Sequence, residues 1–220
     1  MKRSHILRNT SVLLFAATAT AATMSTQAAS LAACPASVSA NGFPADCQLP
    51  IINGDFEQLP FDIRDGARTE RELSQVDGWQ FKGALTGIYE VGSQPWEELR
   101  FKNKLVGLKP DQGLSQSVRV TQVAPAAGGA SPTYIVTFTA GTAYEADEGG
   151  RLRATLHGIQ ADGSTTKLWS EDVHVGESDA THSFHVAAGN ALPASIRLEF
   201  TNRSDEVIGI DNVNLTQTFR

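Results

Sequence analysis

Apolar and polar residues alternate with a period of two along much of the chain, which is the pattern of β-strands with one buried face. Residues 133–140 alternate in this way, and residues 151–157 and 195–201 repeat the pattern. Shorter strands are predicted at residues 87–91, 114–120, 166–169 and 181–186. Because no segment keeps an apolar helical period, the sequence predicts an all-β chain whose strands have the spacing of a β-sandwich or jelly roll.

Two local signals refine this strand pattern. Residues 161–164 (Ala-Asp-Gly-Ser) form a turn signal, which predicts a β-hairpin between the strands on either side. Near the end of the chain, Ile208 and Ile210 occupy even positions, but Val213 and Leu215 occupy odd ones. The buried face therefore changes side within one strand, which predicts a β-bulge at residues 211–212.

Two charged stretches lack a strand pattern. Residues 60–74 contain seven charged residues and few apolar ones, so we expect an exposed loop or insertion there. Residues 92–111 are also charged, and no strand is predicted in them.

Residues 1–33 have the layout of a secretory signal peptide, with a basic start, an apolar run and small residues before the cleavage site. The run is shorter than the ~20 apolar residues of a membrane helix. The sequence therefore predicts export without a transmembrane segment, to the periplasm, the cell surface or the medium. Residues 31–34 (Leu-Ala-Ala-Cys) also resemble a bacterial lipobox, so a lipid anchor at Cys34 stays open as the alternative.

The chain has two cysteines, Cys34 and Cys47, and an even count in an exported protein favours a disulfide. This bond would contribute about 3 kcal/mol by loop closure. We expect it to tether an N-terminal segment, residues 34–49, to a single β-sandwich domain at residues 50–220.

The mature chain is acidic. Three of the 18 Lys and Arg residues precede Cys34, which leaves 15 against 24 Asp and Glu and a net charge near −9. An acidic surface repels phosphate backbones and anionic lipids, so nucleic acid is not an expected partner.

Six segments, taken together, resemble the carbohydrate-binding modules of the galactose-binding-like β-sandwich superfamily, of family 4/9/22 type, and the related DUF642 domains. The matching residues are 52–57 (Ile-Asn-Gly-Asp-Phe-Glu), 77–79 (Asp-Gly-Trp), 87–91, 114–118, 134–138 and 210–215 (Ile-Asp-Asn-Val-Asn-Leu). They occur in the family's order and cover nearly the whole mature domain.

The resemblance implies a structural Ca²⁺ where the N-terminal motif meets the last strand, with Asp55 or Glu57 and Asp211 as ligands. Carboxylate and carbonyl oxygens are the ligands that Ca²⁺ prefers. The alternative is that Asp55 and Asp211 only form turns or accept hydrogen bonds from backbone amides.

Sugar rings stack on exposed aromatic side chains, while polar groups bind the hydroxyls. Trp96 lies in a polar stretch and Tyr144 beside an acidic one, so both are candidate ligand contacts, and Tyr89 is a third. Trp79 occupies the family's core position and Trp169 lies in a short strand, so we expect both to be packed.

Other chemistry finds little support in the sequence. His182 and His185 point to opposite faces of one strand and cannot share a metal ion, so we expect surface histidines. No nucleophile-elbow, zincin or phosphate-loop motif is present. We therefore expect a non-catalytic carbohydrate-binding protein. The alternatives are a cell-surface structural or adhesion protein that binds other proteins, and a small polysaccharide-active enzyme.

Overall fold

The computed structural model describes residues 31–34, 37–38, 46–58, 69–73, 75–83, 86–90, 104–123, 132–142, 149–177, 179–189 and 193–219. At residues 37–38, 69–73, 86–90, 104, 122–123 and 219 the backbone alone is described. Residues 1–30, which make up most of the predicted signal peptide, lie outside these ranges.

The described residues form β-strands joined by turns. In chain order these are β1 (Ser37–Val38), β2 (Cys47–Gln48), β3 (Thr69–Leu73), β4 (Gln80–Lys82), β5 (Thr86–Glu90), β6 (Lys104–Leu108), β7 (Gly113–Arg119), β8 (Gln122–Val123), β9 (Pro132–Thr142), β10 (Gly150–Ile159), β11 (Thr165–Val175), β12 (Ala180–Ala187), β13 (Ser195–Asn202) and β14 (Ile208–Phe219).

Two antiparallel sheets make up the sandwich. One has five strands in the order β11-β10-β13-β7-β4. The other has seven, of which six follow the order β12-β9-β14-β6-β5-β3 and the seventh is β2. β2 pairs with β14, and β1 forms a short parallel pair with β8. The prediction of an all-β sandwich is therefore confirmed.

The core lies between the sheets, where the alternating apolar residues meet. Tyr134, Val136 and Phe138 of β9 are fully buried, as are Leu198 and Phe200 of β13. The ring of Phe138 packs edge-on against Phe200 of the opposite sheet, with ring centroids 4.8 Å apart. The residues that the alternation placed inward thus form the contact between the two sheets.

The hairpin predicted at residues 161–164 joins β10 to β11. Its second strand is longer than expected, because β11 continues well beyond Trp169 to Val175. A bulge in β11 at Leu168 changes the register of the pair, so that Trp169 lies opposite Leu156 but Lys167 lies opposite His157.

The prediction for one charged stretch is wrong, and a second charged stretch contains a strand that was not predicted. Residues 60–74 were expected to be a loop, but β3 lies within them and pairs with β5. Residues 92–111 contain β6, which pairs with both β5 and β14 and buries Leu105, Val106 and Leu108. Both strands are short, and their charged flanks hide the alternation.

The predicted disulfide between Cys34 and Cys47 is present. It reinforces backbone hydrogen bonds from Cys34 N to Gln48 O (2.9 Å) and from Gln48 N to Ala32 O (2.8 Å). Because β2 also pairs with β14, the segment before the sandwich is attached to the last strand.

Candidate functional site

The turn formed by residues 51–58 contacts the last strand, β14. The backbone amide of Val213 donates a hydrogen bond to the carbonyl of Gly54 at 2.8 Å. A Cβ atom on Gly54 would lie 2.3 Å from the Val213 carbonyl oxygen and 2.9 Å from Ile51 Cγ2. Only glycine permits this approach of the two backbones. We call this turn and residues 211–214 of β14 the junction.

Side chains from the core hold the turn in place. The Gln116 side chain accepts a hydrogen bond from Ile52 N at 2.6 Å and donates one to Ile52 O at 2.9 Å. The indole N–H of Trp79 donates to Asn53 O at 3.2 Å, and the Trp79 ring packs on Phe56 at 5.4 Å. Trp79 is buried, as its core position predicts.

The backbone of the turn has a conformation that few residues adopt. Asn53 and Phe56 have positive φ angles of 48° and 50°. The Asn53 side chain stabilises its own loop, because it accepts a hydrogen bond from Gln58 N at 3.1 Å and donates one to Gln58 O at 3.3 Å. The segment is therefore fixed from both ends, next to β14.

On β14, the predicted bulge is confirmed. The register with β9 shifts between Asp211 and Asn214, and Asn212 has a positive φ of 51°. The Asp211 carboxylate accepts hydrogen bonds from the backbone amide of Asn212 at 2.7 Å and from its Nδ2 at 3.1 Å. Both donors belong to the bulge itself.

Asp211 is 3% exposed and lies among other carboxylates. Burial raises the pKa of Asp211 to about 6, and the hydrogen bond from the Asn212 backbone opposes this rise. The negative charges of Glu57, Asp55 and Asp179 raise the pKa further. The junction thus brings all three predicted metal ligands within electrostatic reach of one another.

The donor chemistry of the junction suits a hard cation, since it consists of carboxylate and carbonyl oxygens. Among the described residues, however, no three Asp, Glu, His or Cys side chains are grouped closely enough to hold a metal ion. An ion at Asp211 would therefore need backbone carbonyls in its shell, together with Asp55 or Glu57.

The predicted sugar contacts are only partly described. Trp96 and Tyr144 lie outside the described residues, and Tyr89 is described by its backbone alone, within β5. Their role as ligand contacts stays a prediction.

Trp169 is half-buried and packs on Phe184 of β12 with ring centroids 4.7 Å apart, in agreement with a packing role.

The expectation of surface histidines is wrong for His182. Its ring stacks on Phe138 at 5.3 Å, its Nε2 is buried, and burial lowers its pKa. His185 is exposed, as expected.

The outer face of the five-stranded sheet carries polar side chains that sequence reasoning did not single out. Arg153 and Asp172 form a two-bonded ion pair, with both N–O distances at 2.8 Å. Thr155 and Ser170 share a hydrogen bond at 3.0 Å in the next row. These partners lie directly opposite each other on β10 and β11, so the strand register alone brings them together.

No protein-family model matches the chain, and no curated protein sequence matches it. Solved structures with a similar shape include the enzymatically active domain of tailspike protein 4 of bacteriophage CBA120. The TM-score is 0.48 and the identity 11%, over 76% of this chain and 21% of that one. This chain thus spans about a fifth of the tailspike domain.

Carbohydrate-binding modules are also similar in structure. A family 4 module matches with a TM-score of 0.42 and 13% identity, over 77% of this chain and all of that one. A xylan-binding family 22 module from Paenibacillus barcinonensis matches with a TM-score of 0.42 and 11% identity, over 72% of this chain and 99% of that one. The likeness concerns the β-sandwich alone.

No helix in the described part of the chain has the length and apolar character needed to cross a membrane.

Proposed function

We propose that this protein is an exported, non-catalytic carbohydrate-binding protein whose sandwich is stabilised by a calcium ion at the junction. It would attach to a polysaccharide or glycan through its surface without altering it. Its place would be the periplasm, the cell surface or the medium.

The observation that carries this proposal is the contact between Gly54 and Val213. It joins the two sequence motifs, residues 52–57 and 210–215, on which the resemblance to carbohydrate-binding modules rests most heavily. A third motif takes part, because Trp79 donates its indole N–H to the N-terminal turn. Three segments that were separate in sequence therefore form one local structure, as the resemblance implies.

Calcium would supply positive charge at the junction, where the carboxylates of Asp55 and Glu57 act on that of Asp211. Asp211 would be the buried ligand, with Asp55 or Glu57 and carbonyl oxygens of the turn completing the shell. The raised pKa of Asp211 supports this assignment, because burial and the neighbouring carboxylates both disfavour its ionised form when no cation is bound.

Binding to a glycan array tests the carbohydrate function. We expect the mature protein to bind one group of related glycans, and we expect Trp96→Ala to lower this binding about tenfold or more if its ring stacks on a sugar. Trp169→Phe is the matched control, since the Trp169 ring packs on Phe184 and lies outside the junction. An array without any bound glycan, together with self-association on a sizing column, would instead favour the adhesion protein. Release of soluble products from a polysaccharide would favour an enzyme.

A further inference from the structure

Three neighbouring strands of the five-stranded sheet each place a basic residue in the same row of the outer face. His157 of β10 lies opposite Lys167 of β11 on one side and Arg197 of β13 on the other. Residues directly opposite in antiparallel strands point to the same side of a sheet. We call these three residues the cation row. With adjacent strands about 4.8 Å apart, its backbone positions span about 10 Å.

The row faces outward. Leu156 and Leu198, which precede His157 and follow Arg197 in sequence, are fully buried in the core. The alternation of the strands therefore directs His157 and Arg197 away from the core. Both are half-buried on the outer face, and Lys167 is exposed at its edge.

The protein only partly compensates these charges. Glu199 is the nearest described carboxylate, with its Oε2 3.8 Å from His157 Nε2. Arg197 Nε is buried and has no hydrogen-bond partner among the described residues. Burial lowers the pKa of His157, and the charges of Arg197 and Lys167 lower it further against the opposing effect of Glu199. Arg197 and Lys167 are thus close enough to His157 to disfavour its protonation.

On the same sheet, the positive charge of Arg153 is compensated by a carboxylate. Its guanidinium is bound through two nitrogens to Asp172, which lies directly opposite it. Arg197 lies opposite His157 and Ser117, neither of which is an anion that could pair with it in this way. A planar oxyanion is the group that a guanidinium binds best, so one from a ligand would compensate the charge of Arg197.

The mature chain as a whole carries a net charge near −9. A general attraction for polyanions is therefore not expected, and an anionic ligand would have to be recognised locally. An extended row on the outer face of a sheet suits an extended ligand better than a small ion.

We propose that the cation row binds an oxyanion carried by a polysaccharide, either the carboxylate of a uronic acid unit or a sulfate ester. This proposal rests on the proposed carbohydrate-binding function and names its ligand class. Arg197 forms the two-bonded contact, Lys167 adds a second positive charge, and the hydroxyl of Ser117 lies at the end of the row.

Titration calorimetry of the mature protein with three polymers tests the assignment: polygalacturonate, a sulfated glycan and a neutral β-glucan. We expect binding to a charged polymer that weakens as NaCl rises, because salt screens exposed charges. Arg197→Gln should lower the affinity about tenfold or more, and Arg197→Gln with Lys167→Gln further still. Comparing the two charged polymers identifies the source of the oxyanion, and binding to either one supports the site.

Arg203→Gln is the matched control. It removes the same charge from an exposed position six residues beyond Arg197, about 20 Å along an extended strand. It should change the affinity less than about twofold.

Several outcomes would overturn the cation row as a binding site. These are unchanged binding in Arg197→Gln, an equal loss in Arg203→Gln, or duplex DNA binding as tightly as the charged glycans. Binding to the neutral glucan alone would also overturn it, while leaving the carbohydrate-binding function intact. If no glycan binds at all, the proposed function fails and the oxyanion site with it.

Discussion

Like charges meet at two places on opposite sheets, and the two places differ in sign and in burial. At the junction, Glu57, Asp55 and Asp179 act on the carboxylate of Asp211, which is 3% exposed. In the cation row, Arg197 and Lys167 act on His157, whose side chain is 19% exposed. Burial makes the repulsion costly at the junction, whereas solvent screens much of it in the row.

The comparison indicates different roles for the two groups. A buried cluster of like charge affects folding, so an ion that binds there acts mainly on stability. A half-buried cluster on the outer face of a sheet costs the fold less and remains available to a partner, so it acts mainly on recognition.

The largest effect is expected from Gly54→Ala. The added methyl group would lie 2.3 Å from the Val213 carbonyl oxygen, so the turn would have to move away from β14. We expect a loss of about 3 kcal/mol or more in the free energy of unfolding, measured with urea. Gly176→Ala is the control, because no atom lies within 4 Å of its added Cβ. Equal stability of the two variants would show that the junction does not hold the fold together.

A smaller effect of opposite sign is expected from Asp211→Asn in chelator. The folded pKa of about 6 exceeds the ordinary 3.8, so the folded state binds the proton more tightly than the unfolded state. The stability of the wild type should therefore fall as the pH rises from about 4 to 6 and stay low above this range. Neutral asparagine should abolish this part of the pH dependence and raise stability at pH 7 by about 2 kcal/mol. Stability that rises over the same interval and is unaffected by the variant would contradict the raised pKa of Asp211.

The smallest effect on stability is expected from Arg197→Gln in the cation row. Removing its charge should raise the pKa of His157, which two-dimensional NMR titration of the imidazole would measure. The wild type loses stability as the pH falls below 6.5 through the lowered pKa, because the unfolded state binds the proton first. The variant should weaken this loss and change stability at pH 7 by less than about 0.5 kcal/mol. Arg203→Gln should leave the His157 pKa unchanged, and an equal rise in both variants would exclude a local effect.

Several structural features could be predicted because short sequence patterns indicate them. The bulge at Asp211 followed from two apolar pairs of opposite parity in one strand. The burial of Trp79 and the disulfide followed from a motif position and a cysteine count. Each of these signals can be read from the sequence without knowing which strands become neighbours.

Other features depend on which strands become neighbours in a sheet, and the sequence did not show the strand order. β3 and β6 are short strands in charged stretches, and they form because partners in the seven-stranded sheet complete their hydrogen bonds. The Gln116 contacts to Ile52 join residues 64 positions apart. The cation row likewise exists only through the register of β11, β10 and β13. A charged residue in a single strand gives no sign of such a row.

The most direct test of the account is titration of calcium into metal-free protein, followed by calorimetry, with wild type and Asp211→Asn compared at pH 7. The account predicts saturable binding of about one ion by the wild type, a higher melting temperature with calcium, and the loss of both in Asp211→Asn. Absence of calcium binding by the wild type, or equal binding by the variant, would contradict the assignment of a cation to the junction.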